Sequence, residues 1–132
     1  MNHATVSLWM ALGTATGGML RYGVAQSIAT GDAFPWSTLI VNALGSLLIG
    51  WIAGRATDPG SRLAHAHLHA FWVPGFCAGL TTFSVFSQDT MRLLQSGTTG
   101  AGIANITTTL LLMLAATALG LTMAPKRSGH RD

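Results

Sequence analysis

Four apolar stretches, each long enough to cross a bilayer as a helix, take up most of this 132-residue chain and leave no length for a soluble domain. A spanning helix needs about 20 mostly apolar residues. The stretches fall at about residues 5–28, 37–54, 71–94 and 103–123. The predicted fold class is an all-α membrane protein with four transmembrane helices, one transmembrane domain over 1–132 with a polar C-terminal tail at 125–132. Composition agrees, since 8% of residues are charged, Glu is absent and 16 Gly dilute a hydrophobic content of 49%.

The first stretch has no Lys or Arg before it and exceeds a signal-peptide core, so a retained helix is expected there. Cys77, the only cysteine, can form no intrachain disulfide. A formal net charge of +3 could suggest nucleic acid, but no basic run exceeds the pair Lys126 and Arg127, and a lipid-facing tail explains those residues better. No nucleic-acid partner is expected.

Between the stretches lie a turn at Gly31 and Asp32, a polar stretch from Arg55 to Ala70 with Asp58, Pro59, Gly60, Arg62, His65, His67 and His69 that reads as a loop leading into a partly helical approach, and a short turn at Gly97 to Gly102. Small residues recur at helix-neighbour spacing: Gly13 with Gly17, Thr14 with Gly18, and Ser46, Gly50 and Gly54. Such stripes let helix backbones approach in lipid, within one chain or between chains. Arg55, Arg62, Lys126, Arg127 and Arg131 flank one face against Arg21 and Arg92 on the other, which favours cytoplasmic termini.

Few residues are placed to carry chemistry. Asn42 sits among Leu39, Ile40, Val41 and Leu44, where an unpaired amide would be expensive. Its amide could offer donors to a dehydrated anion or hold two helices together. The third stretch contains Pro74, Gly75, Gly79, Thr81 and Thr82, which interrupt a helix and free carbonyls at membrane depth. Freed carbonyls can bind a cation, or threonine hydroxyls can heal the kink.

Phe83 and Phe86 follow on one helical face, with Ser84 and Ser87 beside them. Such a pair can be plain packing, or its positive ring edges can line an anion path together with Ser84. Asn105, Thr107, Thr108 and Thr109 could extend a polar track on the fourth helix, or bond back to their own backbone. Arg21 reads as a snorkelling residue or as a vestibule charge. The alternating histidines 65, 67 and 69 lack the converging ligands and second shell of a metal site. The four carboxylates Asp32, Asp58, Asp89 and Asp132 form no embedded pair, so no enzyme chemistry is expected.

The segments GGMLRYG, PWSTLIVNALGSLLIGW and GFCAGLTTFSVFS together resemble the Fluc/CrcB family of fluoride channels. The resemblance implies a multi-pass protein of the bacterial inner membrane that exports cytoplasmic fluoride passively. It implies an antiparallel, dual-topology homodimer with two fluoride pores and a central structural Na+. Asn42 then matches the pore asparagine, Phe83 and Phe86 the ring edges facing fluoride, and Arg21 the vestibule arginine. Thr81 matches a carbonyl ligand of sodium, and Thr109 a hydroxyl of the polar track.

Some positions depart from that pattern. Ala78 stands where a glycine often lends its carbonyl to sodium, Asn105 where many members have a tyrosine, Met113 where some have a serine, and Val85 where threonine is more common. The charge bias leaves a fixed-orientation heterodimer open. The alternatives are a small proton-coupled exporter, against which the absence of Glu argues, and a non-transporting membrane subunit using the histidines.

Overall fold

A computed structural model describes residues 2–28, 34–58 and 60–124, and within them every regular element is helical. Helix α1 spans His3–Ser27, and the Asn2 side chain caps it by accepting from the Ala4 N–H at 3.2 Å. Helix α2 spans Trp36–Ala56. A 3₁₀ turn, Arg62–Ala64, leads into α3, Ala66–Ala70. The chain then winds through a π-helical stretch, Phe71–Cys77, into α4, Ala78–Leu80. After two extended residues come α5, Phe83–Gln95, and α6, Thr99–Met123. The predicted turn at Gly31 and Asp32, Pro59 and the tail with Lys126, Arg127 and Arg131 lie outside the described residues.

Among the described residues, Trp36–Ala56, Ala66–Gln95 and Thr99–Met123 are long and apolar enough to cross a membrane, with mean hydropathy of 1.6, 1.3 and 1.8 over their apolar windows. Helix α1 has the length, at 25 residues, but Gly, Thr and Ser together with Arg21 and Gln26 make it less apolar. The interior mixes apolar side chains such as Val41, Ile52 and Leu93 with polar ones, while much of the apolar surface faces outward. Leu8, Met19, Leu111 and Leu114 are exposed, whereas Thr38, Asn42, Ser46, Thr90, Asn105 and Thr109 are buried. With lipid as the solvent, apolar side chains gain nothing by facing inward, and polar groups collect where they can pair.

Two tight pairings organise the bundle. Helix α1 runs along the π stretch and α4, and α2 runs along α6, with α5 packed against α6. The small-residue stripes make these contacts within one subunit. A Cβ on Gly13 would strike the Phe71 carbonyl oxygen, and one on Gly17 the Phe76 carbonyl oxygen. Across the other pairing, Gly50 lies against the Thr117 backbone and Gly120 against the Leu47 carbonyl. Gly18, from the second stripe of α1, faces open space.

Pro74 does not itself unwind the third span. It sits inside the π stretch, where the wider turn accommodates a residue that lacks an N–H and crowds the preceding turn. The helix is lost further on, at Thr81 (φ −78°, ψ 155°) and Thr82 (φ −149°, ψ 119°).

Replacing Gly17 and Gly18 separates close approach from helix propensity. Gly17→Ala is expected to destabilise the protein by about 1–3 kcal/mol through overpacking. Gly18→Ala is expected to be neutral or stabilising by up to about 1 kcal/mol, since alanine favours the helix and meets no neighbour. Unfolding curves in detergent read both, and equal effects would contradict the packing described.

Candidate functional site

The break in the third span is built by one side chain from another helix. Asn42, 2% exposed on α2, presents its whole amide to the backbone of Thr82. The Thr82 N–H donates to Asn42 Oδ1 at 2.7 Å, and Asn42 Nδ2 donates to the Thr82 carbonyl at 3.2 Å. The amide thus takes the part that a neighbouring strand would play and holds residue 82 extended. Since Nδ2 carries two hydrogens, a second donor remains beyond the one that Thr82 takes.

This clamp decides which carbonyls are freed. In a continuous helix the Ala78 carbonyl would accept from the Thr82 N–H, four residues on. That N–H belongs to Asn42 instead. The Thr81 carbonyl would accept from the Val85 N–H, which donates to Thr82 Oγ1 at 3.2 Å as the N-cap of α5. Ala78 and Thr81 therefore lose their helical donors for two separate reasons. The Thr81 hydroxyl and N–H both donate to the Cys77 carbonyl at 2.9 Å, which finishes α4. Ala78 itself is ordinary right-handed helix (φ −66°, ψ −35°), a conformation that does not call for glycine.

Two cavities meet at the clamp. The larger, about 280 Å³, is lined by Arg21, Tyr22, Ala25, Pro35, Ser37, Thr38, Val41, Thr82, Val85 and Asp89. The smaller, about 170 Å³, is lined by Asn42, Thr81, Thr82, Phe83, Phe86, Thr109, Leu110 and Met113. Thr82 belongs to both. In the larger cavity, Arg21 Nε is buried and has no hydrogen-bond partner among the described residues. Asp89 accepts from Thr38 Oγ1 at 2.8 Å and lies 3.9 Å from the exposed Arg92 guanidinium.

The smaller cavity has the two phenylalanines on one wall. Their rings lie 5.7 Å apart and tilted by 46°, with Phe86 buried and Phe83 77% exposed on this single chain. Thr109 faces them from α6, and Met113 completes that wall. Asn105 does not line this cavity. It is buried behind Thr109, where its Nδ2 donates to Thr90 Oγ1 at 2.9 Å. Ser84 is exposed at the mouth of α5, its hydroxyl 3.2 Å from that of Thr82.

The structure thus brings Asn42, Thr81, Phe83, Phe86 and Thr109 to one cavity and Arg21 to the adjoining one. Thr38 and Thr90 were not singled out from sequence, although Thr38 stands four residues before Asn42, on the same helical face. Among the described residues no three His, Cys, Asp or Glu side chains converge. His65 Nδ1 lies 3.1 Å from the Arg62 carbonyl, and His67 and His69 sit on the short helix α3.

The sequence model of the family described as "CrcB-like protein, Camphor Resistance (CrcB)" matches residues 8–121. Similar relatives carry the name fluoride-specific ion channel FluC. FluC 1 of Bradyrhizobium diazoefficiens is 37% identical over 123 residues, covering 93% of this chain and 87% of the relative. FluC 1 of Rhodopseudomonas palustris is 38% identical, covering 95% and 90%. A FluC of Thermus thermophilus is 45% identical over 98 residues, covering 73% and 76%.

Asn42→Ala strands the half-buried Thr82 N–H and carbonyl and is expected to cost about 1–3 kcal/mol of folded stability. Reversible unfolding in detergent measures this. An unchanged midpoint would show that the break stands without the clamp.

Proposed function

This chain belongs to the CrcB family, and from that premise we propose that it is a fluoride-selective channel that lowers cytoplasmic fluoride by passive export. The observation that carries the reading is the clamped break at Thr81 and Thr82, opening onto the phenylalanine-walled cavity. Family membership and three apolar helices of spanning length make it a multi-pass membrane protein. In this reading α1 is the fourth span and 1–132 form one transmembrane domain in the bacterial inner membrane.

Fluoride is small and strongly hydrated, so a pore must replace its water with donors that remain weak enough to release it. In the proposed path Arg21 draws the anion into the larger cavity, and Thr82, common to both cavities, marks the passage to the smaller. There the second N–H of Asn42 and the positive edges of Phe83 and Phe86 replace water. None of these carries a full charge. Ser84 stands at the mouth of α5, and Thr109, with Asn105 behind it, forms the facing wall. Selectivity over chloride is assigned to the narrowness of this cavity.

The second functional unit is an antiparallel homodimer with dual topology. Support comes from the exposure of Phe83, which a second copy would cover, and from the exposed face of Ala78. The Ala78 and Thr81 carbonyls, released from helical bonding, are hard oxygen donors suited to Na+. Bound between two copies, the ion would supply positive charge that ties the breaks together. The helical angles of Ala78 make the departure from glycine harmless to that role.

Purified protein in liposomes loaded with fluoride or chloride tests the reading. Fast fluoride efflux under an imposed potential, with no chloride efflux, is expected, whereas saturable proton-dependent flux would sink the channel. Phe83→Ile is expected to lower fluoride flux by about tenfold, the worth of a lost ring-edge contact, with unchanged dimer elution. Wild-type flux in that variant would discard the ring-edge role.

A further inference from the structure

Behind the smaller cavity runs a chain of hydrogen bonds whose direction can be deduced from its far end. Thr90 Oγ1 donates to the Phe86 carbonyl at 2.8 Å. A hydroxyl has one proton, so toward Asn105 the Thr90 oxygen can only accept. The Asn105 amide must therefore turn its NH₂ to Thr90, as it does at 2.9 Å, and its Oδ1 to Thr109. An amide oxygen cannot donate. The Thr109 hydroxyl must supply the proton, over a long bond of 3.4 Å. Exposures of 8%, 1% and 2% place Thr90, Asn105 and Thr109 in the interior.

The consequence reaches the cavity wall. Thr109 lines the cavity, but its only hydroxyl proton points away from it, into the helix pair. What it shows the cavity is oxygen lone pairs, which repel an anion. We infer that Asn105 is a positioning residue that withholds the Thr109 proton from the path, so that this wall does not bind fluoride at rest. The inference rests on the fluoride-channel reading and deepens it. The 3.4 Å bond is weak enough for a passing anion to compete for the proton, which keeps any hold at Thr109 brief. In this chain the residue at 105 sets the strength of fluoride binding without touching the ion.

Half-saturating fluoride concentration for efflux from liposomes reads this directly. Asn105→Leu removes the Oδ1 acceptor and leaves the Thr109 proton shared between the cavity and the residue-105 carbonyl one turn back, so the half-saturating concentration is expected to fall about fivefold, less than the roughly tenfold of a full hydrogen bond to an ion. Adding Thr109→Val in that background is expected to cancel the fall. Asn105→Ala, which asks less of the packing, is expected to shift it the same way, and dimer elution checks folding of each variant. A purely structural role would lower maximal flux without lowering the half-saturating concentration.

An unchanged or raised value in folded Asn105→Leu and Asn105→Ala overturns the inference, as does a fall that survives Thr109→Val. Wild-type protein that passes no fluoride overturns the channel reading and this inference with it. Wild-type flux with unshifted Asn105 variants overturns this inference alone.

Discussion

The rest of the site depends on a single amide. Asn42 reaches from α2 to the backbone of Thr82 and supplies both the acceptor and the donor that an extended residue needs in a dry interior. Without it, the Thr82 N–H and carbonyl would lose the partners that hold the residue extended. With it, two carbonyls are released, α5 starts afresh on the Thr82 hydroxyl, and Phe83 and Phe86 are turned to the cavity. The energetic logic is that of any buried polar group: unpaired it is costly, so a complete set of partners holds its geometry firmly.

The same economy governs the packing around the break. Helices in lipid gain little by burying leucine, so α1 and α2 bury glycine and let backbones touch. Beside apolar residues such as Val41 and Ile52, the interior encloses short polar side chains: Thr38, Asn42 and Ser46 on α2, Thr90 on α5, and Asn105 and Thr109 on α6. Thr38 donates to Asp89, Asn42 pairs with Thr82, and Asn105 donates to Thr90 Oγ1. A rigid, polar seam inside an apolar envelope is the setting in which weak donors can be held in place for an ion.

Helix number and the position of the break were legible in the sequence, because length in a bilayer and the cluster Pro74, Gly75, Gly79, Thr81 and Thr82 constrain both directly. The cause of the break was not legible. Pro74 looked responsible, but a π turn absorbs it, and the unwinding comes from Asn42, distant in sequence. Asn42 was legible as a residue needing a partner, not as the partner of a backbone. The stripe Ser46, Gly50, Gly54 extends backward by fours to Asn42 and Thr38, but its glycines meet α6 while Thr38 and Asn42 meet the third span, so the stripe alone does not disclose the clamp. Asn105 read as a wall of the track because its type fits. Only the direction of its bonds puts it one layer behind.

The account stands on a passive anion path through the clamped break. The most direct measurement is the reversal potential of the current across a planar bilayer holding the protein, with a tenfold fluoride gradient and equal chloride and pH on both sides. The account predicts reversal at the fluoride equilibrium potential, about 59 mV for a singly charged ion, unmoved when a pH gradient is added. Reversal at zero, or a potential that follows the pH gradient, would contradict it.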